Sequence, residues 1–281
     1  MFSTIIEAAQ LREHLQDPRF IVVDCRHSLA DFSLGRRQYD EEHIEGAFFA
    51  DVETDLAGPK TGTNGRHPLP DPHDFGQFLQ HRLGADDNTQ LVAYDAGADM
   101  YAARFWFLCR WIGHQNVAVL DGGFPAWQDA GFPTGIDIPR PRRSHGALTI
   151  RQHPEMIADA NYVLRNLNNG EMKLVDGRTA DRFAGQNETI DPIAGHIPGA
   201  QNRWFKDNFG DDLRFKSPQQ LREDFSRFGT PRDIVHNCGS GISASVNYLA
   251  MIIAGLLDSK IYAGSWSEWI ADPARPLATG P

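Results

Sequence analysis

The stretch IVHNCGSGISASVNYLAMIIAG, Ile234 to Gly255, holds the architecture of the chain in miniature. An apolar run of strand type ends on one cysteine, Cys238. Glycines and serines follow, and from Val246 the apolar spacing is that of a helix. Strand, small-residue loop and helix make the unit from which parallel α/β sheets are built. Ligands in such sheets lie beyond the carboxyl ends of the strands, the kind of position Cys238 occupies.

The loop favours an anion. Its glycines permit unusual dihedrals and close backbone approach, so several N–H groups can aim at one centre. The helix behind adds the positive end of its dipole, and Ser240 and Ser243 add hydroxyls. A cysteine at that focus is held toward its nucleophilic thiolate form. Phosphatases of the tyrosine type share this order but need an arginine six positions after the cysteine to clamp phosphate. Here that position is Ala244. A cysteine protease needs a base, and His236, two residues back on the strand, reads as a packed strand histidine.

The same unit occurs twice. Val92–Ala103 (VAYDAGADMYAA) lies without a gap over Ile234–Ser245, pairing Gly97 with Gly239, Gly122 with Gly264 and Trp127 with Trp269. Upstream, VDCR at Val23–Arg26 matches VDGR at Val175–Arg178, and HIEGA at His43 matches HIPGA at His196. Matches in the same order imply duplication. Residues 1–140 form the first domain, 141–153 a proline- and arginine-rich linker, and 154–281 the second domain. Each half alternates β-rich runs with amphipathic stretches, so each is expected to be a mainly parallel sheet flanked by helices. In the ungapped alignment Cys238 falls on Ala96, beside Asp95 and Asp99, whose charges oppose an anion. One loop reads as active and its copy as retired. Cys25 and Cys109 read as structural, as do the duplicated Arg26 and Arg178 and the duplicated His43 and His196.

Composition sets the outer limits. The chain has 281 residues, 41% hydrophobic and 23% charged, with a net charge of −10. An acidic chain is a poor partner for nucleic acid or an anionic membrane. Its longest apolar run, Tyr248 to Leu257, is too short to span a bilayer. The stretch MFSTIIEAAQLREHLQ carries charges too early for a signal peptide and reads as an amphipathic helix. Three scattered cysteines form neither a disulfide framework nor a zinc site, which fits a cytoplasmic setting. No metal or organic cofactor is expected, since the glycine loops lack GxGxxG or Walker spacing.

With these residues in view, the sequence resembles the tandem-domain rhodaneses, the thiosulfate and 3-mercaptopyruvate sulfurtransferases. VDCR and VDGR, HIEGA and HIPGA, CGSGISAS, DGGFPAW and the closing YAGSWSEW carry the resemblance across nearly the whole chain. It implies an α/β fold of two tandem rhodanese-like domains, the first inert and the second catalytic. It also implies that Cys238 takes the outer sulfur of a small anionic donor as a persulfide. The sulfur then passes to cyanide, a thiol or a reduced protein such as thioredoxin. The series Cys238, Gly239, Ser240, Gly241, Ile242, Ser243 is similar to the mercaptopyruvate loop, with Ile242 and Ser243 replacing the usual Val-Thr. The resemblance links Ser240 with His67 and Glu53 in a proton relay, and it gives Arg182 to the substrate carboxylate. The family's second arginine falls at about Asp191, a departure for which Arg66 or Arg104 is a candidate substitute. Thiosulfate is the alternative donor. A persulfide carrier with little small-molecule turnover is the reading from another class.

Overall fold

The computed structural model describes residues 1–140, 146–167 and 169–280. Its strands are β1 (Ile5–Ile6), β2 (Phe20–Asp24), β3 (His43–Ile44), β4 (Phe48–Phe49), β5 (Gln90–Tyr94), β6 (Val117–Leu120), β7 (Thr134–Gly135), β8 (Ile157–Ala158), β9 (Lys173–Asp176), β10 (Gln201–Asn202), β11 (Ile234–Asn237) and β12 (Lys260–Tyr262). Two units divide the chain. The first holds Met1–Gly58, Pro70–His153 and Phe209–Phe215; the second holds Pro59–Leu69, Pro154–Asn208 and the chain from Lys216.

Each unit has a five-stranded parallel sheet. The first runs β1-β6-β5-β2-β4 and the second β8-β12-β11-β9-β10, the same order from equivalent strands. Helices cover these sheets, so the central strands are buried without alternation: every residue of β2, β5 and β11 is buried. The helices behind the two quoted loops, Tyr101–Trp111 and Ala244–Ile253, are also buried over nearly their whole length. Apolar residues on all sides of a helix have that consequence. A small antiparallel pair, β3 with β7, completes the first unit.

Three details depart from the sequence reading. The amino-terminal stretch is not one helix. Ile5 and Ile6 pair with Val119 and Leu120 as an edge strand, and the helix begins at Ala8. Residues 141–145 of the expected linker lie outside the described residues, and 146–153 pack on the first unit. There Thr149 bonds to Asp87, and the N–H of Arg151 donates to the Ile112 carbonyl at 2.8 Å. Third, the segment Pro59–Leu69 belongs to the second unit and Phe209–Phe215 to the first.

The duplication extends to buried polar groups. Arg26 turns back on Asp24 at 2.6 Å and Arg178 on Asp176 at 2.8 Å, both pairs buried. Phe124 stacks under the first guanidinium and Trp266 under the second. Removing one partner of such a pair leaves a buried charge and costs about 3–5 kcal/mol. His43 stacks on Tyr39 and His196 on Phe183, each bonding through Nδ1 to a carbonyl of the stacked residue. These four residues are structural in both copies.

Candidate active site

The strand-end aspartates fix the true register between the copies. Tyr94 donates its hydroxyl to Asp24, and Asn237 donates its side-chain amide to Asp176. The next residues are therefore equivalent, and Asp95, not Ala96, stands where Cys238 stands. The backbone agrees: Phe124 N–H donates to the Asp95 carbonyl at 2.9 Å, and Trp266 N–H to the Cys238 carbonyl at 3.0 Å. Both loops run six residues, 95–100 and 238–243, and the ungapped alignment was one residue out because the helix of the first copy, Tyr101–Trp111, is one residue longer than Ala244–Ile253.

Cys238 starts its loop at the end of β11 and is 2% exposed. Its Sγ accepts the N–H of Gly241 at 3.1 Å. Gly241 has φ +82, and a Cβ there would lie 2.0 Å from the Ala263 carbonyl oxygen, so no other residue fits. Ile242 and Ser243, both buried, form the turn into the helix Ala244–Ile253. Ser265 supports the cysteine from below. Its Oγ accepts the Cys238 N–H at 3.1 Å, donates to the Tyr262 carbonyl at 2.9 Å and lies 3.9 Å from Sγ. To do this Ser265 adopts φ +53, where a side chain costs about 1–2 kcal/mol. The equivalent residue of the first unit is Gly123, φ +59. Sequence reading missed Ser265; the signal was a serine in AGSW where the copy DGGF has a second glycine.

The second unit also gathers residues from the segment Pro59–Leu69. His67 Nδ1 lies 2.7 Å from Ser240 Oγ, with both side chains buried. Arg66 fixes its backbone on Ser267 Oγ and ion-pairs through Nη1 with Asp191. Arg182 pairs with Glu188 at 3.0 Å and with Asp191 at 3.2 Å. Both guanidiniums lie over Gly239: a Cβ there would be 2.9 Å from Arg66 Nη2 and 3.5 Å from Arg182 Nη2. Burial lowers the Arg66 guanidinium from its usual value, and the neighbouring Cys238 sulfur opposes that shift. Arg66 thus stands where a substitute for the missing arginine was sought. Arg104 belongs to the first unit, where its Nε donates to the Leu56 carbonyl. Glu53 is in the first unit too, with Oε1 3.7 Å from His27 Nε2.

The other expectations concern packing. Cys25 and Cys109 are buried, unpaired, and pushed by burial well above the usual thiol range, which leaves them inert. His236 is fully buried against Met251 Sδ, and burial lowers its pKa to about 3, so it stays neutral. Among the described residues, no group of three or more His, Cys, Asp or Glu is arranged to hold a metal, and no helix is long and apolar enough to cross a membrane.

Two sheets of one topology, with a cysteine cradled at the switch between strand and helix in one of them, define a tandem α/β protein with one cysteine-bearing loop. Comparison gives its family. A model described as rhodanese-like domain matches residues 7–130 and 159–272. The chain is 44% identical over 283 residues, 98% of each chain, to a Pseudomonas aeruginosa protein named as a probable 3-mercaptopyruvate sulfurtransferase. It is 31% identical to the thiosulfate sulfurtransferase of Rattus norvegicus, across all of this chain and 95% of that one. Among solved structures, SseA from Escherichia coli, described as a 3-mercaptopyruvate sulfotransferase, superposes with a TM-score of 0.79 at 29% identity. That match covers 95% of this chain and 100% of the other. The chain belongs to the rhodanese family.

Proposed function

We propose that the chain is a sulfurtransferase that moves sulfur from 3-mercaptopyruvate to a thiol or cyanide acceptor through a persulfide on Cys238. One observation carries this reading: a buried cysteine that accepts a loop N–H at 3.1 Å, with two arginines standing over the adjacent glycine. The names of the relatives support the same activity class.

The chemistry follows from the site. The Cys238 thiolate attacks the donor sulfur, forming an S–S bond as the C–S bond breaks. The electron pair goes to the carbon beside the ketone, which takes the thiol proton, so pyruvate leaves and a persulfide anion remains. The Gly241 N–H stabilises anionic sulfur before and after transfer. Ser240, joined to His67, stands to carry the thiol proton, and Glu53 is the acid that the family resemblance gives to this relay. Arg182, with Arg66 in place of the family's second arginine, holds the donor carboxylate. Gly239, Gly241, Ile242 and Ser243 shape the pocket, and the first unit is catalytically inert. The persulfide then passes to cyanide, a small thiol or reduced thioredoxin. The enzyme works in the cytoplasm, where three free cysteines persist.

The test is kcat/KM for 3-mercaptopyruvate and thiosulfate, measured side by side with cyanide as acceptor. A preference of tenfold or more for mercaptopyruvate, about 1.4 kcal/mol, is expected. A preference for thiosulfate overturns the donor, and loading from a protein persulfide alone overturns small-molecule turnover.

A further inference from the structure

Asp191 holds the two arginines beside the nucleophile. One oxygen pairs with Arg66 Nη1 and the other lies 3.2 Å from Arg182 Nη2, so one carboxylate bridges both guanidiniums. Glu188 takes the Nε and Nη2 of Arg182, leaving Nη1 outside these bonds. Exposure tells which side faces the donor. The side chains of Asp191 and Glu188 are 1% and 2% exposed, whereas those of Arg66 and Arg182 are 27% and 18% exposed. The acids lie behind and the guanidinium edges lie in front. The third arginine of the neighbourhood, Arg178, is matched by Asp176. Arg66, Arg178 and Arg182 are thus balanced by Asp191, Asp176 and Glu188.

We propose that Asp191 is a specificity-determining residue, which cancels one of the two positive charges offered over Gly239 and so selects monoanionic over dianionic sulfur donors. The inference rests on the reading of this loop as a sulfurtransferase site. 3-Mercaptopyruvate with its thiol protonated brings a single carboxylate, which the outer edges of Arg66 and Arg182 receive as a fork. Thiosulfate brings a second charge to the same two edges, and the Asp191 carboxylate behind the arginines repels it. Discrimination built this way works by penalising the wrong ligand rather than by new contacts to the right one. The penalty acts through the arginines, so Asp191 itself touches no reacting atom.

The experiment compares wild type, Asp191→Asn and Asp191→Glu as full-length protein, with kcat/KM for both donors and cyanide as acceptor. For Asp191→Asn the thiosulfate-to-mercaptopyruvate ratio is expected to rise at least tenfold, with thiosulfate turnover becoming more salt-sensitive. Asp191→Glu is expected to restore the wild-type ratio. An equal loss with both donors overturns the proposal, because a brace for the arginines affects both alike. A second measurement needs no variant and no turnover: calorimetric binding of pyruvate and of sulfate to the wild-type protein. Tighter binding of pyruvate is expected, and tighter binding of sulfate overturns the proposal. A wild type that binds these anions in the expected order yet turns over neither donor sinks the proposed activity and leaves the charge selection standing.

Discussion

The loops after β5 and β11 are two solutions to one electrostatic problem. Both end a buried strand, precede a buried helix and direct backbone N–H at a single position. In the second unit that position is Cys238, whose sulfur takes the Gly241 N–H. In the first it is Asp95, whose carboxylate takes the N–H groups of Gly97 and Ala102 at 3.0 Å each. Burial raises the Asp95 pKa, and those same N–H groups oppose the shift. The first loop carries its own anion as a fixed part of the fold, while the second leaves the place to a group that can react. The first loop has its cradle filled by a carboxylate, with the sheet, the helix and the strand-end ion pair all retained.

The comparison can be broken most forcefully at the cysteine. Cys238→Ser is expected to reduce turnover with every donor by at least about a thousandfold, the scale set by loss of a nucleophile. Activity near wild type in a cyanide assay means sulfur is carried elsewhere. His67→Ala and Ser240→Ala are expected to lower mercaptopyruvate turnover about a hundredfold and thiosulfate turnover much less, because only the former donor has a thiol proton to move. Equal losses with both donors assign the pair to structure. Asp95→Asn leaves one of two buried N–H groups facing an amide, so urea unfolding should report a loss of about 1–3 kcal/mol. Its kcat/KM should be unchanged; a fall would give the first loop a part in catalysis. Ser265→Gly makes the second loop more like the first. It relieves the left-handed strain but removes the Oγ under Cys238, so we expect kcat down about tenfold with stability kept or raised. Unchanged kcat would mean the hydroxyl only supports the turn.

Much of the molecule was legible from sequence because its decisive features are local. The runs FIVVD and QLVAYD carry consecutive apolar residues without alternation, as strands covered on both faces do, and the duplicated VD-x-R places a buried ion pair at equivalent strand ends. The two-residue edge strands β1, β3, β7 and β8 carry no readable period and were missed. The one-residue slip that set Ala96 against Cys238 could not be seen without the bonds of Tyr94 and Asn237. Ser265 matters through a backbone angle, and a serine at positive φ looks like any other serine in a sequence. Arg66 and Asp191 were each noticed, but a contact between residues so far apart in the chain has no local signature. The sequence reading therefore took Asp191 as a gap in the site, whereas the carboxylate is the bracket that gathers it.

The membership of Pro59–Leu69 in the second unit bears on how such a protein came to be and how it can be divided. A gene segment starting at Pro154 encodes the cysteine, its loop and Arg182, yet it omits Arg66 and His67. If those two side chains act as proposed, the chemistry draws on both halves of the sequence. On the proposed mechanism, a second half expressed alone would keep its sheet and cysteine loop but lose both the arginine and the histidine that face them.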